Sequence, residues 1–119
     1  MKVAVTSKGV LLDSAIDSRF GRAPYILIVD TDTMAFEVVD NSDNVNAFKG
    51  AGIQAATMVS DKGAQVLMTG YCGPKAFATL DAAGVKVVSD VTGKVRDAVA
   101  AFKAGTVTYS TGANKEAHW

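Results

Sequence analysis

Gln65-Val66-Leu67-Met68-Thr69-Gly70-Tyr71-Cys72-Gly73-Pro74-Lys75-Ala76 reads in that order as a strand, a glycine-rich turn and the start of a helix. Residues 65–68 have the length and apolar character of a buried strand. Gly70 and Gly73 suit a tight turn, and Pro74 falls in the first helical turn, where its missing N–H costs nothing. Such a turn points backbone N–H groups and a helix N-terminus outward, which favours a bound anion. The chain's only cysteine, Cys72, lies in this turn, and Lys75 follows three residues later.

Working outward, residues 74–83 form an amphipathic helix closed by Gly84, and residues 85–88 a further strand. Thr92 is expected to cap a last helix over residues 93–103, burying Val95, Ala98, Val99 and Phe102, with Gly105 ending it. Upstream, residues 50–60 read as a helix with Ile53, Ala56 and Thr57 on one face and Ala55, Met58 and Val59 adding apolar bulk; Lys62-Gly63 ends it. Residues 40–46, rich in Asn and Asp, read as loop. Residues 25–30 and 34–39 form a hairpin across the turn at residues 31–33. Residues 2–6 are a first strand, and residues 7–23 a long polar loop, of the kind that usually carries function. The order is βββαβαβα: an α/β domain with one five-stranded mixed sheet and helices on its faces. Ligands in such sheets bind beyond the carboxyl ends of the parallel strands, where the loops 7–23 and 69–75 lie.

The 119 residues are 49% hydrophobic and 20% charged, which is the composition of one globular domain. Twelve basic and twelve acidic side chains cancel. No broad field for nucleic acid results, so an anion site must be local. One cysteine makes no internal disulfide and no four-cysteine zinc or iron–sulfur site, and it fits a reducing compartment. The start of the chain is too short and strand-like for a signal peptide, and no apolar run approaches the roughly 20 residues of a membrane span. A cytoplasmic protein is expected.

Three constellations carry candidate chemistry, each with a purely structural alternative. In Asp17-Ser18-Arg19-Phe20-Gly21-Arg22, two guanidinium forks suit an oxyanion or sulfur anion, and Phe20 could lie against a soft ligand face. Alternatively, Arg19 pairs with Asp17 and Phe20 plugs the sheet edge. In the 70–75 turn, Cys72 is a metal ligand if the helix N-terminus and Lys75 stabilise its thiolate, or a small buried residue in a tight turn. Lys49-Gly50-Ala51-Gly52 is a weak Gly-x-Gly signal, left incomplete because Ala55 takes the third glycine's place. Its glycines equally permit close helix–sheet packing. His118 reads as a tail residue, and Met34, Met58 and Met68 as core. No nucleophile elbow, triad or carboxylate pair supplies the parts of an enzyme.

Three stretches, Ser18-Arg19-Phe20-Gly21-Arg22-Ala23-Pro24-Tyr25, Gly50-Ala51-Gly52-Ile53-Gln54-Ala55-Ala56 and Gly70-Tyr71-Cys72-Gly73-Pro74-Lys75-Ala76-Phe77, with Leu80 and Ala83-Gly84-Val85 after them, resemble the nitrogenase iron–molybdenum cofactor-binding domain family, of the small NifX/NifB C-terminal type. The resemblance spans roughly residues 2–104. It implies an RNase H-like fold, a cluster-binding domain over residues 1–105 with a polar tail over 106–119, and non-catalytic carriage of a metal–sulfur cluster. Within the family, a single domain with one cysteine suits the branch that carries a mixed molybdenum–copper sulfide cluster without covalent attachment by cysteines. A nitrogenase-type iron–molybdenum cofactor carrier is the alternative. A metal-free protein–protein interaction module is another, and protein partners in the same pathway fit either. The cofactor-binding residues implied are Arg19, Phe20, Gly21, Arg22, Gly50, Gly52, Tyr71, Gly73, Pro74 and Lys75, with Phe20, Tyr71 and Ile53 as an apolar rim. Contact between copper and Cys72 stays open, since thiolate suits Cu(I). Nuclease chemistry is not expected, because the first strand, Lys2-Val3-Ala4-Val5-Thr6, carries no carboxylate for metals.

Overall fold

The structure, a computed structural model, describes residues 1–42 and 50–112. Its elements run β1 (Lys2–Ser7), β2 (Tyr25–Asp30), β3 (Phe36–Asp40), α1 (Ala51–Asp61), β4 (Val66–Met68), α2 (Pro74–Ala82), β5 (Lys86–Val88) and α3 (Val95–Lys103). The expected βββαβαβα order holds. The strands form one sheet in the order β3-β2-β1-β4-β5. β1 pairs antiparallel with β2, and β2 antiparallel with β3, while β1, β4 and β5 run parallel.

Alternation along the strands splits the core in two. Ala4, Ile26, Ile28, Val39, Leu67 and Val87 face the layer that contains Ala55, Ala56, Val59, Ala76 and Leu80 of α1 and α2. Val3, Val5, Leu27, Val29, Val66, Met68 and Val88 face Val95, Ala98 and Val99 of α3. β1 and β4 are covered on both sides, which is why they read as continuous apolar runs.

Three expectations are corrected. Strand β3 begins at Phe36 rather than Met34. Met34 takes a left-handed φ of 61° and donates its N–H to the Asp30 carbonyl at 2.8 Å, so it belongs to the turn. On α1 the buried residues are Ala51, Ala55, Ala56 and Val59, whereas Ile53 and Thr57 are exposed. The small side of the helix faces inward because its glycine approaches α2 closely: a Cβ on Gly52 would stand 3.1 Å from the Ala76 Cβ. Thr92 does not cap α3, whose N-cap position is Lys94. The N–H groups of Val95 and Arg96 instead donate to the carbonyls of Ser14 and Leu12, at 3.0 and 2.8 Å. A distant loop thus performs the capping. Lys49 and most of the 40–46 loop, like His118 and Trp119, lie outside the described residues.

Candidate functional site

The carboxyl ends of β1 and β4 lead into segments 17–22 and 69–73, and backbone hydrogen bonds join the two segments. The N–H of Phe20 donates to the Tyr71 carbonyl at 3.1 Å, and that of Tyr71 to the Ser18 carbonyl at 2.7 Å. Approach is so close that a Cβ on Gly70 would lie 2.7 Å from the Ser18 oxygen. Below them, the Thr6 hydroxyl donates to the Asp17 carbonyl at 2.6 Å and lies 2.9 Å from the Thr69 hydroxyl. This fully buried pair ties both strand ends to the loop.

Helices α1 and α2 both start at the same edge. Gly50, in a left-handed conformation with φ 82°, is the N-cap position of α1, and Gly73 that of α2; among the described residues neither helix has a side-chain cap. Pro74 opens α2 and Lys75 follows it, exposed. Gly21, at φ 94°, packs against α1, where a Cβ would meet the Gly52 Cα at 2.9 Å. Gly21, Gly52 and Ala76 therefore stack in sequence, and their small size lets two helix N-termini and one loop share an edge. The N-terminal N–H groups and the aligned peptide dipoles make that edge locally positive.

Arg19, Arg22 and Lys75 add full charges there. Arg22 is half-buried, and its N–H donates to the Arg19 carbonyl at 3.2 Å. Lys75 takes part in none of the ion pairs formed among the described residues. Arg19 does pair with Asp17, as the structural alternative required: its N–H donates to Asp17 Oδ1 at 2.9 Å, and Nε and Nη2 reach the two carboxylate oxygens at 3.4 Å. Tyr71 and Ile53, each 40% exposed, are the accessible apolar surface among these residues.

Two expected site residues face inward instead. Phe20 is buried in the α1–α2 side of the core, so it anchors the loop and forms no rim. Cys72 is buried in the same cluster. Burial pushes its thiol up from the ordinary 9.0 to about 12, so desolvation outweighs any pull from the helix N-terminus. It is a neutral core side chain, not an exposed thiolate. Among the described residues, no three His, Cys, Asp or Glu side chains gather as a metal-ligating group.

Asn41 was not anticipated. It is 1% exposed, and its Nδ2 donates to the carbonyls of Gly21 and Ala23 at 3.2 and 2.8 Å. It thereby holds the arginine loop in shape. Nothing in an Asn- and Asp-rich stretch marks which residue will turn inward.

A model of the family described as dinitrogenase iron-molybdenum cofactor matches residues 1–105. The apo form of the orange protein from Desulfovibrio gigas superposes with a TM-score of 0.93 at 49% identity, with 96% of each chain covered. A putative NifB protein from Thermotoga follows with a TM-score of 0.82 and 36% identity, over 96% of this chain and 97% of that one. A putative dinitrogenase from Methanocaldococcus jannaschii, at 14% identity, shares the fold alone, with a TM-score of 0.68 over 94% and 96% of the two chains. No curated protein matches the chain at a significant level. Among the described residues, no helix is long and apolar enough to cross a membrane.

Proposed function

The chain belongs to the dinitrogenase iron-molybdenum cofactor family, and from that premise we propose that it binds and carries a preformed molybdenum-containing metal–sulfide cluster, without catalysing a reaction. The observation that carries this reading is the meeting of two helix N-termini, neither with a side-chain cap among the described residues, beside Arg19, Arg22 and Lys75. Such donors suit a polyanion that brings its own sulfide ligands. They do not suit a bare metal ion, which needs thiolates, imidazoles or carboxylates from the protein. The cargo is best read as a mixed molybdenum–copper sulfide cluster, held by N–H groups and cations and flanked by Tyr71 and Ile53. Cys72, buried and neutral, has no part in it. The family's description supports an iron–molybdenum cluster as the second candidate for the same edge. A reducing, cytoplasmic setting accords with a single cysteine.

Titration of the purified protein with tetrathiomolybdate and copper, followed by desalting, tests the reading. Charge-transfer bands that stay with the protein at a fixed Mo:Cu ratio are expected. Retention of an iron–molybdenum cluster but no Mo–Cu species would change the cargo. Retention of neither would leave a partner-binding module. Arg19→Ala with Arg22→Ala is expected to weaken binding by about tenfold or more, since a hydrogen bond to a charged group contributes about 1.5–3 kcal/mol. Unchanged affinity would remove the arginines from the site.

A further inference from the structure

The two members of the Arg19–Asp17 pair are held very differently. Asp17 is locked at the end of β1: its N–H donates to the Thr6 carbonyl at 3.1 Å, and its own carbonyl accepts the Thr6 hydroxyl at 2.6 Å. Its side chain is 5% exposed, against 53% for Arg19. The carboxylate holds the Arg19 backbone N–H at 2.9 Å, but both guanidinium contacts are 3.4 Å long. Charge-assisted bonds of full strength lie nearer 2.7–2.9 Å. The acid is therefore fixed, and the base is loosely held and able to leave.

The turn itself needs only an oxygen acceptor for the Arg19 N–H, which an asparagine would supply equally well. The negative charge is the part that the turn does not explain. A buried carboxylate is poorly screened, and here it stands beside the cations that a polyanion would use. We propose that Asp17 is an internal competitor for the Arg19 guanidinium, a positioning residue that loosens the site's hold on its polyanion so that a carried cluster can be given up. The inference rests on the carrier reading above. In it, cargo draws Arg19 off Asp17 on loading, and Asp17 takes it back on release.

Tetrathiomolybdate binding by the full chain, compared for the wild type, Asp17→Asn, Arg19→Ala and the double variant, tests this. Asp17→Asn keeps the acceptor for the Arg19 N–H and removes the charge. It should bind about two- to fivefold tighter, the range of a half-exposed ion pair, and dissociate more slowly. The gain should vanish when residue 19 is alanine. An equal gain without Arg19 would assign the effect to direct repulsion and overturn the competition, as would unchanged or weaker binding by a folded Asp17→Asn protein. A measurement on the wild type does not depend on that variant folding. The Arg19 Nε–H resonance should shift on saturation while the Asp17 amide, locked to Thr6, stays in place, and an unmoved Nε–H refutes the proposal. Failure of the wild type to retain tetrathiomolybdate would remove the thiomolybdate-type cargo and this inference together, whereas retention with an unmoved Nε–H removes only the inference.

Discussion

At Cys72 two opposing effects act on one atom, and burial wins. The residue sits one position before the N-cap of α2, where peptide dipoles and Lys75 favour a thiolate, yet its sulfur lies among core side chains. Its thiol is consequently raised from 9.0 to about 12. Below pH 9 the thiol is neutral in both folded and unfolded chains and adds no pH dependence. Between pH 9 and 12 the unfolded chain can ionise it and the folded chain cannot, so stability falls as pH rises through that window. Cys72→Ala should lower stability by about 1 kcal/mol at neutral pH. It should also lose less in melting temperature than the wild type between pH 8 and about 10.5. Parallel declines would show that the thiol is not held neutral. The position of Cys72 also shows what spacing hides: a residue in a glycine-rich turn can face the core or the solvent, and the sequence is the same in either case.

Among the elements, the sheet edges are handled differently. On β3, Phe36 and Val38 stay partly exposed, and Lys62 Nζ, just past α1, reaches Glu37 Oε2 at 2.6 Å. A charged residue on an edge discourages pairing with another sheet. At β5 the guard is the chain itself. The Ser110 N–H donates to the Val87 carbonyl at 2.7 Å, its hydroxyl bonds that of Ser89 at 2.7 Å, and Val107 packs on the α3 side of the core. Ser110→Pro deletes that N–H and frees the edge. It is expected to cost about 1 kcal/mol and to make sedimentation more concentration-dependent than in the wild type. A variant that sediments as the wild type does would mean the strap has no protective role. The elements themselves were legible wherever local signals fix them. Tyr25–Asp30, a β-branched and aromatic run closed by an Asx turn, has its expected limits. They were not legible where tertiary contacts decide. The start of α3 depends on carbonyls of Leu12 and Ser14, some eighty residues away, and no local pattern carries that information.

For the whole molecule, charge balance conceals a local arrangement. Acidic and basic residues cancel over the chain, yet the carboxyl edge of the sheet gathers Arg19, Arg22 and Lys75 with two helix N-termini. The strand order made this edge legible, because it puts the loops 7–23 and 69–75 beyond the carboxyl ends of parallel strands, where Gly21, Gly52 and Gly70 let backbones meet closely. The roles of Phe20, Cys72 and Asn41 were not legible, since each depends on which way one side chain turns. Because the edge is built from β1, β4, α1 and α2 together, anything that binds it in the folded state must stabilise the entire domain. Tetrathiomolybdate at about a hundredfold its dissociation constant should contribute about 2.7 kcal/mol. For a domain of this size that corresponds to a melting temperature raised by roughly 8–14 °C. In the Arg19→Ala, Arg22→Ala protein, a tenfold weaker hold removes about 1.4 kcal/mol, and the shift should fall by about half at the same ligand concentration. Sulfate at equal concentration serves as the control for a general salt effect. Equal shifts in wild type and variant would place the ligand away from the arginines, and an absence of any shift would detach the anion-binding edge from the function proposed for it.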